Sequence, residues 1–254
     1  MQVFLDIGNT FVKIARLYNG ALEAGTSVPS SDFVKNPIKY LDDYYLSDSK
    51  LYIASVLKES INSILFEKLT ERGFIYENIK VRREFNGFKT LYNTGTLGVD
   101  RWLACLAAHC TYQQDVVVID AGTAITVDIV TSNGIHLGGY IIPGIASLGH
   151  AIKSSTGLCA DNSILKMVNS IPTNTNDALV LGNLALISGF FQRIEETIIS
   201  DKLFKLSDNF SWVLTGGDCE KVGEYLQSPF CVNKQLVLKG ALIVSGKLTE
   251  LHDS

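Results

Sequence analysis

Two short stretches place a carboxylate and a glycine at the same spacing, each with a threonine hydroxyl close behind. Asp6-Ile7-Gly8-Asn9-Thr10 closes the apolar run Val3-Phe4-Leu5, and Asp120-Ala121-Gly122-Thr123 closes Val116-Val117-Val118-Ile119. A strand that delivers an acid into a Gly-containing turn, then returns as a second strand, suits a bound polyphosphate. Glycine has no Cβ, so the backbone can approach a ligand closely there. Asn9 and Thr10 add short donors, Lys13 adds a positive charge, and Asp6 can lie near a metal ion. Taken singly, such a pentapeptide is equally a plain hairpin turn. The repetition carries more weight. An offset of 114 (120 − 6) maps Asp6 onto Asp120, Gly8 onto Gly122, and Asn19-Gly20 onto Asn133-Gly134. Asn-Gly pairs predict type I′ turns, so each half reads strand, Asp-x-Gly turn, strand, Asn-Gly turn, strand. Two related halves, each offering a polar loop, imply a site in the cleft between them.

Two further stretches belong with these loops. Gly98-Val99-Asp100-Arg101 precedes Trp102, Leu103, Leu106, Ala107 and Cys110 at helical spacing, which puts Asp100 and Arg101 at a helix N-terminus, where backbone N–H groups favour anions. The alternative is an ordinary helix-start acid beside a surface charge. Thr215-Gly216-Gly217 ends another apolar run and either passes beneath a nucleotide or is simply a tight turn. The chain has no Gly-x-x-x-x-Gly-Lys-Ser/Thr, no Gly-x-Gly-x-x-Gly and no Gly-x-Ser-x-Gly. Paired carboxylates with Gly/Thr loops suit phosphoryl transfer, where positioning and charge stabilisation supply most of the rate.

The elements that must hold these residues alternate between strand and helix. Residues 2–28 read as three antiparallel strands, followed by a helix started by Pro29-Ser30-Ser31-Asp32 and clouded by Pro37. Leu51–Val56 suits a buried parallel strand. The next helix carries Ile61, Ile64, Leu65 and Leu69 on one stripe, with Ser60 as a possible cap and Gly73 as its stop. Residues 82–101 read as a polar, Gly-rich loop. Strands 116–120, 124–130 and 135–142 then repeat the opening pattern, and Gly138-Gly139-Tyr140-Ile141-Ile142-Pro143-Gly144 leads into a helix reaching about Thr156. A long apolar helix from about Asn176 to Ile199 is expected to bury both faces, and Lys239–Leu251 closes the chain as a helix.

Length and composition narrow the field. The 254 residues fit two medium domains, and the 46% hydrophobic content supplies ample core. A net charge of −4 argues against a general nucleic-acid binder. The cysteines (Cys105, Cys110, Cys159, Cys219, Cys231) form no C-x-x-C pair, and with only His109, His136, His150 and His252 available zinc-type spacing is absent. A reduced, cytoplasmic chain is expected. The start lacks a basic n-region, and the stretch from Ala178 to Phe191 is too short for a membrane span.

Five segments, in order, resemble the type III pantothenate kinases: Asp6-Ile7-Gly8-Asn9-Thr10 with Lys13, Gly98-Val99-Asp100-Arg101, Asp120-Ala121-Gly122-Thr123-Ala124, Gly138 to Gly144, and Thr215-Gly216-Gly217. The resemblance spans residues 2 to 247. It implies an α/β fold of two duplicated ribonuclease H-like (actin-like ATPase) domains, 1–113 and 114–254, with mixed five-stranded sheets flanked by helices. It also implies ATP-dependent phosphorylation of pantothenate to 4′-phosphopantothenate, the first step of coenzyme A biosynthesis. On this resemblance Asp6, Ile7, Gly8, Asn9, Thr10, Phe11, Val12 and Lys13 line the ATP phosphates, with Thr123 as a further contact. Asp100 is the base for the hydroxyl, Arg101 holds the pantothenate carboxylate, Gly98 and Val99 lend backbone contacts, and Tyr92 packs on the substrate. Asp120 resembles the ligand of a monovalent cation, potassium or ammonium, used beside a divalent ion such as Mg2+. Thr175 resembles a threonine that reaches pantothenate from the neighbouring subunit of a homodimer, with neither nucleic acid nor membrane as partner.

Some positions depart from the family pattern. Asn93-Thr94-Gly95-Thr96 lacks a proline, Ser155 stands before Thr156 where some members have histidine, and Ala124 replaces the hydroxyl that Thr10 offers. The alternatives are a kinase for another small alcohol or a sugar, a non-catalytic transcription accessory factor of the same fold, and a structural ATPase-fold module.

Overall fold

The computed structural model describes residues 1–44, 49–157, 171–200, 206–207 and 210–246. Cys159, His252 and the end of the expected closing helix lie outside the described residues. The elements, in chain order, are β1 (Gln2–Ile7), β2 (Phe11–Tyr18), β3 (Ala21–Pro29), α1 (Ser30–Lys35), α2 (Pro37–Leu41), β4 (Lys50–Ser55), α3 (Glu59–Glu71), β5 (Tyr76–Asn78), β6 (Glu84–Phe85), β7 (Phe88–Thr90), α4 (Val99–Tyr112), β8 (Asp115–Ala121), β9 (Ala124–Val130) and β10 (Ile135–Pro143). They continue with α5 (Ile145–Thr156), α6 (Thr175–Ser200), β11 (Phe210–Thr215), α7 (Cys219–Gly223), β12 (Phe230–Val232) and α8 (Leu236–Val244). The chain divides into two compact units. One holds residues 1–113, 130–138 and 235–254, and the other holds 114–129 and 139–234.

The first sheet has the order β3-β2-β1-β4-β5, antiparallel across β1, β2 and β3 and parallel across β1, β4 and β5. The second has the order β12-β11-β8-β9-β10-β7-β6. Its run β10-β9-β8-β11-β12 repeats the first sheet's order element for element, which is the expected duplicated α/β design, and β7 and β6 extend it by two strands. The central strands β1 and β8 are buried almost throughout, as strands covered on both faces must be. Asp6 and Asp120 interrupt that burial near the carboxyl ends of their strands, the end at which open α/β sheets present their ligand sites.

Three local expectations are corrected. The segment 82–101 is not all loop: β6 and β7 form a two-residue hairpin in which Asn86 (φ 47°) and Gly87 (φ 83°) adopt the left-handed pair of a type I′ turn. Asn19 (φ 50°) and Gly20 (φ 80°) do the same, but only Gly134 of the second Asn-Gly pair is left-handed (φ 76°). There the Gly134 N–H donates to the Thr131 carbonyl (2.9 Å) and the Thr131 N–H to the Ile135 carbonyl (2.9 Å), closing a longer turn. Helix α3 starts after Lys58, not Ser60, and Ile64 is 48% exposed. Asn62 is buried in its place, because Ser55 Oγ (2.7 Å) and the Leu57 carbonyl (3.0 Å) satisfy its amide.

Among the described cysteines, Cys105, Cys110, Cys219 and Cys231 are thiols rather than disulfides. Burial pushes the Cys110 and Cys219 thiols upward, so both are less reactive than an exposed cysteine.

Candidate active site

The Asp6 loop is held at both ends. Asp6 pairs with Lys13 across the β1–β2 ladder, and the Lys13 ammonium lies 3.8 Å from the Asp6 carboxylate. The Gly8 N–H donates to the Phe11 carbonyl (3.0 Å), and a Cβ on Gly8 would come within 3.2 Å of that same oxygen. Buried Ser30, at the start of α1, clamps the loop from behind. Its hydroxyl donates to the Gly8 carbonyl (2.7 Å) and its N–H to the Thr10 carbonyl (2.9 Å). Asn9 and Thr10 are exposed, and Phe11 is 53% exposed. Ile7 and Val12 bury their side chains completely, which leaves only their backbone for a ligand. An acid, a lysine and exposed polar side chains on a clamped turn fit a metal-chelated triphosphate.

The second loop is a tighter version. Residue 144, which corresponds to Ser30 under the 114-residue offset, again anchors it: the Gly144 N–H donates to the Thr123 carbonyl (3.0 Å). Ser147 Oγ donates to the same carbonyl (2.6 Å). A Cβ on Gly144 would lie 2.1 Å from the Gly122 carbonyl, so glycine is required for this approach. Thr123 is exposed at the tip, and Asp120 is half-buried below it. The Thr215-Gly216-Gly217 turn earns its glycine here. Gly216 (φ +91°) passes so close that a Cβ would lie 2.5 Å from Asp120 Oδ1 and 2.3 Å from the Ala121 carbonyl. Gly216 therefore lets this turn pass directly against the Asp120 carboxylate.

The Asp100 region lies wholly in the first unit. Helix α4 is buried along nearly its whole length, and Gly240 of α8 packs onto it so closely that a Cβ would lie 2.2 Å from the Leu103 carbonyl. Its first turn is thereby fixed. The Arg101 N–H donates to Asp100 Oδ1 (2.7 Å), folding the acid back over the helix start. A Cβ on Gly98 would lie 2.4 Å from that same oxygen. Gly98 has φ −60°, which alanine tolerates, so Gly98→Ala acts on the carboxylate rather than on the backbone. We expect Gly98→Ala to fold normally and to lower kcat by about ten- to a hundredfold, as a misplaced reacting group does. Unchanged kcat in a steady-state assay contradicts the placement of Asp100.

Arg101 is 5% exposed, which excludes the surface-charge alternative. Its guanidinium carbon sits 5.1 Å from the centroid of the half-buried Tyr92 ring, a cation–π contact. Beyond Tyr92 the His136 ring is nearly parallel to it, at 3° with centroids 6.2 Å apart, and Phe88 is in turn nearly parallel to His136, at 13° and 6.4 Å, an offset-stacked series. Arg83 Nη1 donates to the Thr90 (2.9 Å) and Tyr92 (3.2 Å) carbonyls, bracing the segment without the family's proline. Val99 buries its side chain, and the Gly98 carbonyl accepts from the Trp102 N–H (3.1 Å), so the helix start can offer a ligand only backbone at these two positions.

Thr175 is the exposed first residue of α6, just after a reciprocal cap: Asn174 Oδ1 accepts from the Asp177 N–H (3.0 Å), and Asn174 Nδ2 donates to Asp177 Oδ2 (2.7 Å). The helix buries Val180, Leu184, Ile187, Phe191 and Ile194 but leaves Leu186 64% exposed between the open Gly182 and Gly189. Among the described residues, one face of the helix is covered and the Gly182–Gly189 face is open.

Sequence reasoning missed Ser30, Arg83, Thr90 and His136. The alternation Phe88, Thr90, Tyr92 signals a short strand with one shared face, and the offset from Gly144 back to Ser30 marks the loop clamp.

A family model described as type III pantothenate kinase matches residues 2–197. A type III pantothenate kinase from Colwellia psychrerythraea is 34% identical over 220 residues, covering 86% of this chain and 85% of its own length. One from Chromobacterium violaceum is 33% identical over 257 residues, covering 96% and 99%. A crystal structure from Campylobacter jejuni, described as a Baf family transcriptional activator, is similar with a TM-score of 0.62 at 25% identity, covering 97% of this chain and all of that one.

Proposed function

Because the chain belongs to the type III pantothenate kinase family, phosphotransferases that phosphorylate pantothenate in coenzyme A biosynthesis, we propose a specific division of labour among its residues. Asp100 accepts the proton of the pantothenate hydroxyl as that oxygen attacks the terminal phosphoryl group of ATP. A carboxylate of low basicity suffices, because the proton moves late in a loose transition state. Arg101 holds the pantothenate carboxylate, with Tyr92 beside it and the Gly98 and Val99 backbone completing the contact. The observation that carries this assignment is the pairing of a folded-back carboxylate with a buried, stacked guanidinium one residue away. A substrate bearing both a hydroxyl and a carboxylate matches that pair, whereas a sugar offers nothing for the guanidinium fork.

Kinases of this family use ATP and a divalent metal ion. The segment Asp6 to Lys13 receives the ATP phosphates, with Asp6 placed to hold the divalent ion and Lys13 to offset phosphate charge; Thr123 adds a hydroxyl. When bound, the divalent ion neutralises charge on the phosphates. We assign Asp120 to a monovalent cation, potassium or ammonium, on the strength of its carboxylate lying against the Gly216 turn at the end of its strand. The half-covered α6, with Leu186 exposed between two glycines, supports a homodimer in which Thr175 reaches the partner's substrate. The two halves, 1–113 and 114–254, are proposed to descend from one doubled unit, and the reaction is placed in the cytoplasm. Among the described residues no helix is long and apolar enough to cross a membrane.

The direct test is a coupled kinase assay with pantothenate, ATP and magnesium. Turnover is expected in potassium or ammonium buffer, with little in sodium and none with a panel of sugars. Equal rates in sodium remove the cation assignment. ATP binding without any pantothenate turnover would favour the accessory-factor alternative.

A further inference from the structure

We propose that Thr90 and His136 are positioning residues for the acceptor substrate: together they fix the plane of Tyr92, and through it the Arg101 guanidinium. The proposal rests on the assignment of Arg101 to the pantothenate carboxylate. Both residues are fully buried polar groups on adjoining strands, and they face one another directly in the parallel β7–β10 ladder. An apolar pair would fill that place in the sheet without needing hydrogen bonds, so their polarity calls for a reason. Their hydrogen bonds supply one. Thr90 Oγ1 pairs with His136 Nδ1 at 2.8 Å and also accepts the Tyr92 N–H at 3.1 Å. One hydroxyl thus ties the backbone of Tyr92 to the ring that runs parallel to its own, offset by 6.2 Å between centroids.

The consequence runs upward through the column. Phe88 supports His136, His136 lies within 3° of the Tyr92 plane, and Tyr92 presents its face to Arg101 at 5.1 Å. The ladder adds register: the Leu91 N–H donates to the His136 carbonyl (2.9 Å) and the Lys89 N–H to the Gly134 carbonyl (2.8 Å). Arginine has a long, rotamer-rich side chain, and ordering it before the substrate arrives removes that entropic cost from binding. A tilt of Tyr92 removes the platform and returns the cost to the binding step. The loss then falls on affinity for the acceptor and spares the phosphoryl-transfer step and ATP.

The test is Thr90→Val, which conserves shape and removes the hydroxyl, read against Thr90→Ser, which retains it. Thr90→Val is expected to raise the KM for pantothenate about three- to tenfold, the effect of one lost hydrogen bond. Its kcat and ATP KM should stay within about twofold of wild type, and Thr90→Ser should restore the pantothenate KM. Thr90→Ala removes the same hydroxyl with a smaller side chain, leaves His136 beside the buried Asp128 carboxylate, and gives the same one-sided rise, which covers the case of an insoluble valine variant. An unchanged pantothenate KM in both variants, or an equal rise for ATP, overturns the proposal. Arg101→Ala in the same assay separates the two layers. If it raises the pantothenate KM while Thr90→Val does not, only the positioning role falls. If Arg101→Ala has no effect, the carboxylate assignment itself fails and takes this proposal with it.

Discussion

Asp100→Asn is expected to lower kcat by about 10²- to 10⁴-fold, the usual contribution of a general base, while the KM for ATP stays within about twofold. Asparagine has the same shape as aspartate, and its Oδ1 can still accept the Arg101 N–H that holds Asp100 in place. What it cannot do is take up the hydroxyl proton. The change also removes a negative charge from the first turn of α4, where the helix dipole favours one. That effect is worth about 0.3–1 kcal/mol, or a few degrees in Tm at this chain length, far too little to account for the loss in rate. Measuring kcat and Tm on the same preparation therefore separates chemistry from folding. A variant that keeps more than about a tenth of wild-type turnover removes Asp100 from the role of base.

Arg101→Ala carries the second large effect, and it falls on the acceptor. A charge-assisted hydrogen bond to a carboxylate contributes about 1.5–3 kcal/mol, so the pantothenate KM should rise roughly ten- to a hundredfold. The decisive comparison is with the uncharged alcohol analogue of pantothenate. Wild type should strongly prefer the acid, and the variant should treat the two alike. Arg101 is also a buried member of the aromatic column, so its removal lowers stability by the lost cation–π contact, about 0.5–2 kcal/mol, and by the space it leaves. Lysine at this position keeps the charge but lacks the planar fork that stacks on Tyr92 and grips a carboxylate with two parallel bonds. It should recover only part of the affinity. Equal preference for acid and alcohol in the wild-type enzyme counts against the carboxylate role.

The long strands were readable in advance because burial leaves a linear trace. Val3-Phe4-Leu5 and Val116 to Ile119 are continuous apolar runs, as central strands must be, and each acid appears as the one break near its strand's end. The short strands left no such trace. Strands β5, β6 and β12 have three residues or fewer, which is too little for a period to show, and they exist because a neighbouring strand supplies their hydrogen bonds. Ser60 had the residue type of a cap, yet α3 begins one residue earlier because its start is set by the Ser55–Asn62–Leu57 hydrogen bonds.

The sequence by itself determined the duplicated α/β plan and which residue types stand at the turns, since both follow from local pattern and from the spacing of Asp, Gly and Thr. It also carried the family match. Only the tertiary structure decided what those residues touch. Arg101 is a surface charge or a buried guanidinium depending on whether Tyr92 comes to meet it, and Tyr92 is in turn held by Thr90 and by His136, which lies on a strand more than forty residues away. The same holds for Gly98 and Gly216. Glycine is permissive everywhere, and its necessity at these places comes from the Asp100 and Asp120 carboxylates lying where a Cβ would be.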